Sequence, residues 1–331
     1  MSKDGSGTLV LAGTNTFSGP INVLAGTLAI NGPTALPAGV TINAAAGATV
    51  LLQNGASTPS SLTGAGAVLY GPGTNAILGG SGLSGNSDVV LSGSSTLTKV
   101  GLGSIALTGA SSYTGKTTIQ SGAIVASTLN RVTGGVAFSS LGAPASAANG
   151  TIDLGSLTAT GSLVITGTAQ TTDRIINLAG TTGGGVLDQS GTGALVFTGS
   201  VTATGAGSKT LTLQGSTTGT GHISGVIVNN STLNTTALLK QGSGMWTLSA
   251  ANTYSGGTTL AAGTLALGNA GALGTGSLTV GGGFLNNSSG AALIIPTALA
   301  QSWTGDFGYI GSNNLTFSAG AITMSADRTI T

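Results

Sequence analysis

The sequence contains no cysteine, no glutamate, a single histidine and few aromatic or charged residues. Aromatic residues make up 4% and charged residues 5% of its 331 positions, and eight basic side chains against seven aspartates give a net charge of +1. Without cysteine there can be neither disulfides nor thiolate metal sites, and the lone His222 excludes a centre built from several histidines. The absence of any basic run argues against nucleic-acid binding.

Long apolar runs are also missing. The longest, over residues 291–300, is interrupted by Pro296 and is too short for a transmembrane helix. Residues 1–5 lack the apolar core of a signal peptide. We therefore expect no membrane insertion by this chain.

Glycine and small apolar residues dominate what is present. There are 60 glycines, yet 40% of positions are hydrophobic and the mean hydropathy is +0.42, which is too apolar for a disordered glycine-rich chain. Short alternating runs, such as 162–166 and 210–213, are bounded by turn residues. The pattern predicts an all-β fold with almost no helix.

A motif of about thirty residues occurs three times, over 3–30, 99–125 and 240–267. Each copy runs through a lysine, a Gly-x-Gly segment, an alternating apolar run, an aromatic-x-Gly turn, another glycine and a final apolar run. Repetition on this scale is typical of solenoids. At roughly 20–24 residues per coil, we predict a right-handed parallel β-helix of about 14–16 coils, forming one continuous body over 1–331.

The motif resembles the autotransporter-associated β-strand repeat, also called the passenger-associated transport repeat, of large secreted bacterial β-helix proteins. The first and third copies match that repeat almost fully. The second has Ser111 where the others have Asn15 and Asn252, and Ala123 in place of a threonine. The resemblance implies an exported protein, extracellular or on the bacterial cell surface, and it implies a shape rather than a chemistry.

Two motif positions predict structural roles. Phe17, Tyr113 and Tyr254 share one position and are expected to pack a corner of the coil, with an exposed sugar-stacking platform as the alternative. Asn15 and Asn252 are expected either to stack into amide ladders between coils or to close local Asx-turns. The sequence favours neither arrangement of the asparagines.

No constellation of residues predicts catalysis. The seven aspartates are scattered singly, whereas glycoside hydrolysis requires paired carboxylates. The dipeptide Asp173-Arg174 recurs as Asp327-Arg328, but neighbours on a strand point to opposite faces, so each is expected to form a polar corner. His222 has no nearby partners for a catalytic triad. We predict a non-enzymatic protein that holds no cofactor and no metal.

Two functions remain open. The first is a structural or adhesive surface protein: a stiff solenoid from a larger passenger, a fibre subunit that associates through its terminal coils, or both, with a glycan or cell-surface molecule as a possible partner. The alternative is a carbohydrate-binding or carbohydrate-active β-helix that uses aromatics such as Trp246 as platforms. Its site is expected in the most aromatic stretch of the chain, at Trp303, Asp306, Phe307 and Tyr309.

Overall fold

A computed structural model describes residues 1–54, 56, 59, 61–70, 75–79, 85–87, 90–94, 96–215, 219–296, 298–318 and 320–331. Ser84, which the sequence places in a turn, and Asp88, one of the seven aspartates, lie outside the described residues. The chain divides into two compact units, Met1–Asp153 and Leu154–Thr331.

The first unit consists of short strands and one helical turn. In chain order its elements are β1 (Ser2–Lys3), β2 (Thr8–Ala12), β3 (Ile21–Val23), β4 (Thr27–Asn31), β5 (Thr41–Ala44), β6 (Thr49–Gln53), β7 (Ser61–Thr63), β8 (Ala67–Tyr70), β9 (Asn75–Leu78), β10 (Gly85–Ser87), β11 (Val90–Ser92), β12 (Thr96–Lys99), β13 (Ser104–Leu107), β14 (Thr117–Ile119), β15 (Gly122–Ala126), α1 (Ala147–Gly150) and β16 (Ile152–Leu154), which contains the boundary.

In the described residues of the second unit, all of the helix and strand elements are strands. They are β17 (Gly161–Ile165), β18 (Gln170–Thr172), β19 (Ile176–Leu178), β20 (Gly185–Gln189), β21 (Ala194–Phe197), β22 (Val201–Ala203), β23 (Lys209–Gln214), β24 (Thr220–Ile223), β25 (Thr236–Lys240), β26 (Met245–Leu248), β27 (Thr258–Leu260), β28 (Thr264–Leu267), β29 (Leu278–Val280), β30 (Phe284–Asn287), β31 (Leu293–Ile295), β32 (Gln301–Trp303), β33 (Gly308–Tyr309), β34 (Leu315–Phe317) and β35 (Ile322–Met324).

Strands of successive coils pair in parallel, so each unit is a parallel β-solenoid. In the first unit β2, β4, β6, β8 and β11 form one ladder, and β1, β3, β5 and β7 form another. In the second, one ladder runs from β17 through β20, β23, β25, β27, β29 and β32 to β35, and another from β18 through β21, β24, β26, β28 and β30 to β33. The predicted all-β solenoid is confirmed.

The number of coils is lower than predicted. The described residues make about 13 turns rather than about 14–16. Coil length is not constant: Ile105 pairs with Ile124, 19 residues later, whereas Leu211 pairs with Leu238, 27 residues later. The strands stack in register, but the turns between them vary in length. A single period of about 20–24 residues therefore overestimates the number of coils.

Among the described residues helical structure is confined to α1, a single turn whose N-cap Ser146 accepts a hydrogen bond from the Asn149 backbone N–H at 3.3 Å. No helix in the described ranges is long and apolar enough to cross a membrane.

The core lies inside the coils and follows the period-two alternation of the strands. In β17, Leu163 and Ile165 are buried while Ser162 and Val164 are half-buried. In-register pairing then stacks apolar side chains on apolar side chains, as where Leu163 lies against Leu187 of the next coil. Each coil therefore buries its apolar side chains against its neighbours, and no coil is complete alone.

Candidate functional site: the repeated motif and its inserted corner

Each copy of the motif spans two consecutive coils. The first apolar run of a copy pairs in register with the last apolar run of the same copy: β2 with β4, β13 with β15, and β26 with β28. The aromatic turn lies on the connection between them. A motif copy is therefore a local unit of two stacked coils.

The motif lysine is buried at the start of each motif copy. Lys3 is 7% exposed, and Lys99 and Lys240 are fully buried. Each Nζ donates to three backbone carbonyls, two from the residues that follow it and one from the next coil. The acceptors are Asp4, Gly5 and Ala25 (3.0, 2.6 and 2.9 Å), Val100, Gly101 and Ser121 (2.7, 2.8 and 3.2 Å), and Gln241, Gly242 and Ala262 (2.7, 3.0 and 3.0 Å).

This carbonyl cage satisfies all three donors of an ammonium group without a carboxylate. Burial lowers the pKa of Lys99 and of Lys240 to about 8. Lys209 has a local version of the cage, since its Nζ donates to the carbonyls of Gly205, Ala206 and Gly207, and burial lowers its pKa too. Lys3, Lys99 and Lys240 thus join the turn of one coil to the next coil through backbone oxygens.

A glycine completes the cage on the second coil. Gly26, Gly122 and Gly263 occupy this position with φ of +67°, +67° and +68°. A Cβ there would lie 2.2–2.4 Å from a backbone oxygen of the preceding coil. Both the backbone conformation and the close approach therefore require glycine.

The aromatic position packs the corner in two of the three copies. Tyr113 is 2% exposed and Tyr254 fully buried, and their hydroxyls hydrogen-bond the Oγ1 atoms of Thr117 and Thr258 at 2.8 and 2.6 Å. Burial raises the pKa of Tyr254, against a smaller opposing effect of that hydrogen bond. These two rings have no open face on which a sugar could stack. Phe17 has no hydroxyl, is half-buried, and is followed four positions later by an isoleucine instead of a threonine.

The motif asparagine bridges coils through backbone groups. Asn252 accepts from the Ile227 N–H of the preceding coil at 2.9 Å and donates to the Ala272 carbonyl of the next coil at 2.7 Å. Asn15 makes the same donation, to Ala35, at 2.9 Å. These bonds are neither an amide ladder nor an Asx-turn. A ladder contact does occur elsewhere, between the side chains of Asn54 and Asn31.

The family model for the passenger-associated-transport-repeat matches residues 1–30, 97–126 and 238–267. The chain contains three passenger-associated transport repeats. The resemblance stated from the motif is confirmed, and the matches coincide with the two-coil units described above.

The chain is also similar to a curated autotransporter adhesin. It is 35% identical over 295 residues to the "Adhesin BmaC autotransporter" of Brucella suis biovar 1 (strain 1330). The aligned region covers 88% of this chain but 7% of the adhesin, so the chain spans a small part of that relative's length. No solved structure matches.

An insertion directly follows the second passenger-associated transport repeat. In the first and third repeats the backbone N–H of the motif asparagine donates to a carbonyl eight residues after the cage glycine, at Thr34 and Gly271. In the second repeat, Ser111 donates instead to Ser139, which follows Gly122 by 17 residues. Nine additional residues therefore lie within 127–138, which we name the first insertion.

A second insertion follows in the same coil. The carbonyl of Tyr254 accepts from Thr275 at 2.9 Å, and that of Tyr113 accepts from Ala143 at 2.8 Å, so the two turns correspond. After the third repeat the next strand, β29, starts three residues beyond Thr275, whereas after the second repeat β16 starts nine residues beyond Ala143. The six additional residues lie within 143–151, the second insertion, which contains α1.

The two insertions border an open surface cavity of about 270 Å³. Residues from both line it: Asn130, Arg131, Val132, Gly135, Val136, Ala137, Ala143, Pro144 and Ala145. Sequence reasoning missed this corner. The signal was present in the replacement of the motif asparagine by Ser111 and in the missing turn eight residues after Gly122.

The residues of the predicted ligand platform are only partly brought together. Trp303 and Phe307 pack edge to face with ring centroids 5.2 Å apart. Asp306 is exposed and accepts from the Thr329 N–H at 3.0 Å, while the Tyr309 hydroxyl donates to the Asn313 carbonyl. A cavity of about 350 Å³ is lined by Asp306 and Phe307 together with Gly283, Phe284, Gly308, Thr329 and Thr331.

Trp303 and Tyr309 do not line that cavity, and a role for these four residues in ligand binding stays a prediction. Trp246 is fully buried, its ring packed against Gly221 of the preceding coil, so its interpretation as a sugar platform is wrong.

The polar residues considered above for a catalytic role lie within the scaffold. His222 Nε2 is 2.7 Å from the Ser249 Oγ, and burial lowers its pKa. Arg174 is fully buried, and Asp173 beside it is half-buried, so the expected polar corner lies partly inside the coil. Within the described residues, no three histidine or carboxylate side chains converge as a metal site would require.

Proposed function

We propose that this chain is a non-enzymatic, adhesive segment of a larger exported passenger, exposed outside the cell or on the bacterial cell surface. The observation that carries the proposal is the 35% identity, over 88% of the chain, with a protein named as an autotransporter adhesin. The three passenger-associated transport repeats support it, because they occur in the described geometry of stacked coil pairs.

The fold suits such a role because it presents a rigid surface. Successive coils are joined by parallel ladders, and the lysine and asparagine of the repeats add side-chain bonds between coils. Binding residues carried on loops of a rigid scaffold lose little conformational entropy when a partner binds.

An attachment assay tests adhesion directly. Fluorescent beads coated with the purified chain are expected to attach to cultured mammalian cells several-fold more than albumin-coated beads, and soluble chain should compete for attachment. Attachment equal to that of albumin-coated beads, with both proteins at the same surface density, would refute the proposal.

We also propose that isolated copies of the chain associate through their terminal coils. The outer strands β2 and β35 have exposed apolar side chains, including Val10 at 54% and Met324 at 57%. Unpaired strand edges of this kind pair readily with other chains. Light scattering over a concentration series should show growth of assemblies, and Val10→Lys should suppress it; a mass that is independent of concentration would exclude association.

A further inference from the structure

We propose that the inserted corner that follows the second repeat is a docking site for an acidic, apolar segment of a partner protein. An apolar side chain of the partner would occupy the 270 Å³ cavity and a neighbouring carboxylate would bind Arg131. The inference deepens the proposed adhesive function, since it names a contact surface and the chemistry of its partner.

Apart from the insertions, this part of the chain keeps the coil structure of the other repeats. Lys99, Gly122 and Tyr113 make the same contacts as their counterparts in the third repeat. The change is confined to one corner, where Ser111 and Ser139 exchange backbone hydrogen bonds at 2.8 and 2.9 Å. Ser111 still accepts from the preceding coil, through its Oγ and the Leu91 N–H at 3.0 Å. The corner is therefore an addition to an intact scaffold.

Hydrogen bonds hold the first insertion in place. The Ser140 Oγ lies 3.1 Å from the Ser127 Oγ and accepts from the Thr128 N–H at 3.2 Å, so the base of the insertion is closed. Nearer the tip, the Asn130 Nδ2 donates to the Val136 carbonyl at 3.1 Å. A site ordered before binding avoids much of the entropy cost of binding.

The cavity is mainly aliphatic and has an apolar rim. Val132 and Pro144 come from different insertions. Val132 packs closely on the second insertion, since a Cβ added to Gly150 would lie 2.3 Å from the Val132 Cγ2. At the tip, Val136 and Phe138 are 64% and 56% exposed. Covering these side chains would remove apolar surface from water, which is the main driving force of protein association.

Arg131 gives the site its charge preference. It is exposed, and among the described residues that line the cavity there is no carboxylate. In the described part of this unit the ion pair joins Lys116 to Asp153 at 2.6 Å and does not involve Arg131. A guanidinium beside an apolar cavity favours a carboxylate next to an apolar side chain. No aromatic ring is among the described lining residues, so a stacked sugar is less suited.

Peptide selection on the whole chain tests the inference. Short random peptides displayed on phage would be selected on the wild type and counter-selected on a variant in which residues 127–138 are replaced by Gly-Asn-Ala, the sequence at 268–270 of the third repeat. Selected peptides should combine a large apolar residue with a neighbouring Asp or Glu. Arg131→Gln should weaken their binding about tenfold or more, measured by fluorescence anisotropy.

Two point variants make the result independent of folding of the shortened chain. Val136→Asp changes an exposed side chain and should abolish binding by placing a carboxylate at the cavity. Lys116→Gln removes a cation from the same unit and should leave the affinity unchanged. Peptides that bind Arg131→Gln and Val136→Asp as tightly as the wild type would overturn the inference.

The outcomes separate this inference from the proposed function. Peptides that require Arg131 support the docking site even where coated beads fail to attach to cells. Beads that attach while no selected peptide depends on Arg131 leave adhesion standing and overturn the docking site. A uronic-acid polysaccharide that binds more tightly than any selected peptide, and that also requires Arg131, would overturn the assignment to a protein partner.

Discussion

At the scale of single residues, the lysine of the passenger-associated transport repeat has the clearest role. Its ammonium group is surrounded by carbonyl oxygens of two coils, in the same arrangement at Lys3, Lys99 and Lys240. A buried cation without a carboxylate is tolerated because its three donors are all used. The cage therefore fixes the turn of one coil relative to the next.

Removing one ammonium group should destabilise the fold. Lys240→Met keeps the aliphatic stem but leaves the carbonyls of Gln241, Gly242 and Ala262 without this donor. Hydrogen bonds to a charged group contribute about 1.5–3 kcal/mol each, and recovery of the ammonium's desolvation cost offsets part, so we expect a loss of about 2–4 kcal/mol. Denaturant unfolding measures it. Lys116→Met, at a partly exposed ion pair, should cost under about 1 kcal/mol.

The lowered pKa values of the cage lysines predict a rise in stability with pH. With folded-state pKa values of about 8 against 10.5 for the ordinary side chain, Lys99 and Lys240 bind fewer protons in the folded than in the unfolded chain between pH 8 and 10.5. The free energy of unfolding should therefore increase across that window.

Tyr254 acts in the opposite direction at higher pH. Its raised pKa means that the unfolded chain loses this proton first, so stability should fall above pH 10. Urea unfolding at successive pH values should show a maximum near pH 10. Lys240→Met should flatten the rise below it, and a wild-type curve that falls steadily from pH 8 would contradict this account.

At the scale of the element, the repeat is a pair of coils, and its aromatic corner shows how positions depend on each other. A tyrosine is accompanied by a threonine four residues later at Tyr113 and Tyr254, whereas Phe17 is accompanied by Ile21. The hydroxyls occur together or not at all, because a single buried hydroxyl would lack this partner.

A double-mutant cycle at this corner tests that dependence. Tyr254→Phe removes one hydroxyl of a buried pair and should cost about 1 kcal/mol. Thr258→Val in the same chain should cost less than it does alone, because no partner hydroxyl then remains to be satisfied. Unfolding free energies of the four chains give the coupling, and purely additive costs would show that the two hydroxyls act independently.

The repeats and the strand class were predictable because both depend on local pattern. Alternation along 162–166 specifies a strand with one buried face, and recurrence of the lysine, glycine and aromatic residues identifies equivalent coils. The number of coils was not predictable, since it depends on turns without such a pattern. The inserted corner left only an indirect trace at Ser111, whose exchange of hydrogen bonds with Ser139 is a contact between distant residues.

At the scale of the whole molecule, ordered strands and buried basic residues together govern access by proteases. Four of the five lysines are buried in carbonyl cages, and Arg174 is fully buried. Lys116 is in an ion pair and 35% exposed. Arg131 is exposed, on an insertion that contributes no strand. The accessible sites for a protease that cleaves after basic residues are therefore few.

Trypsin under native conditions should cleave first after Arg131, apart from trimming at the half-buried Arg328. Cleavage requires an accessible segment: Arg131 and the residues at 133–138 after it are exposed, whereas the buried lysines lie in paired strands. Mass spectrometry of early time points should find fragments 1–131 and 132–331. Arg131→Gln should remove that cut while leaving the melting temperature unchanged, since the side chain is exposed. Early cleavage after Lys99 or Lys240 would instead mean that the carbonyl cages open readily, and it would contradict the stabilising role assigned to them.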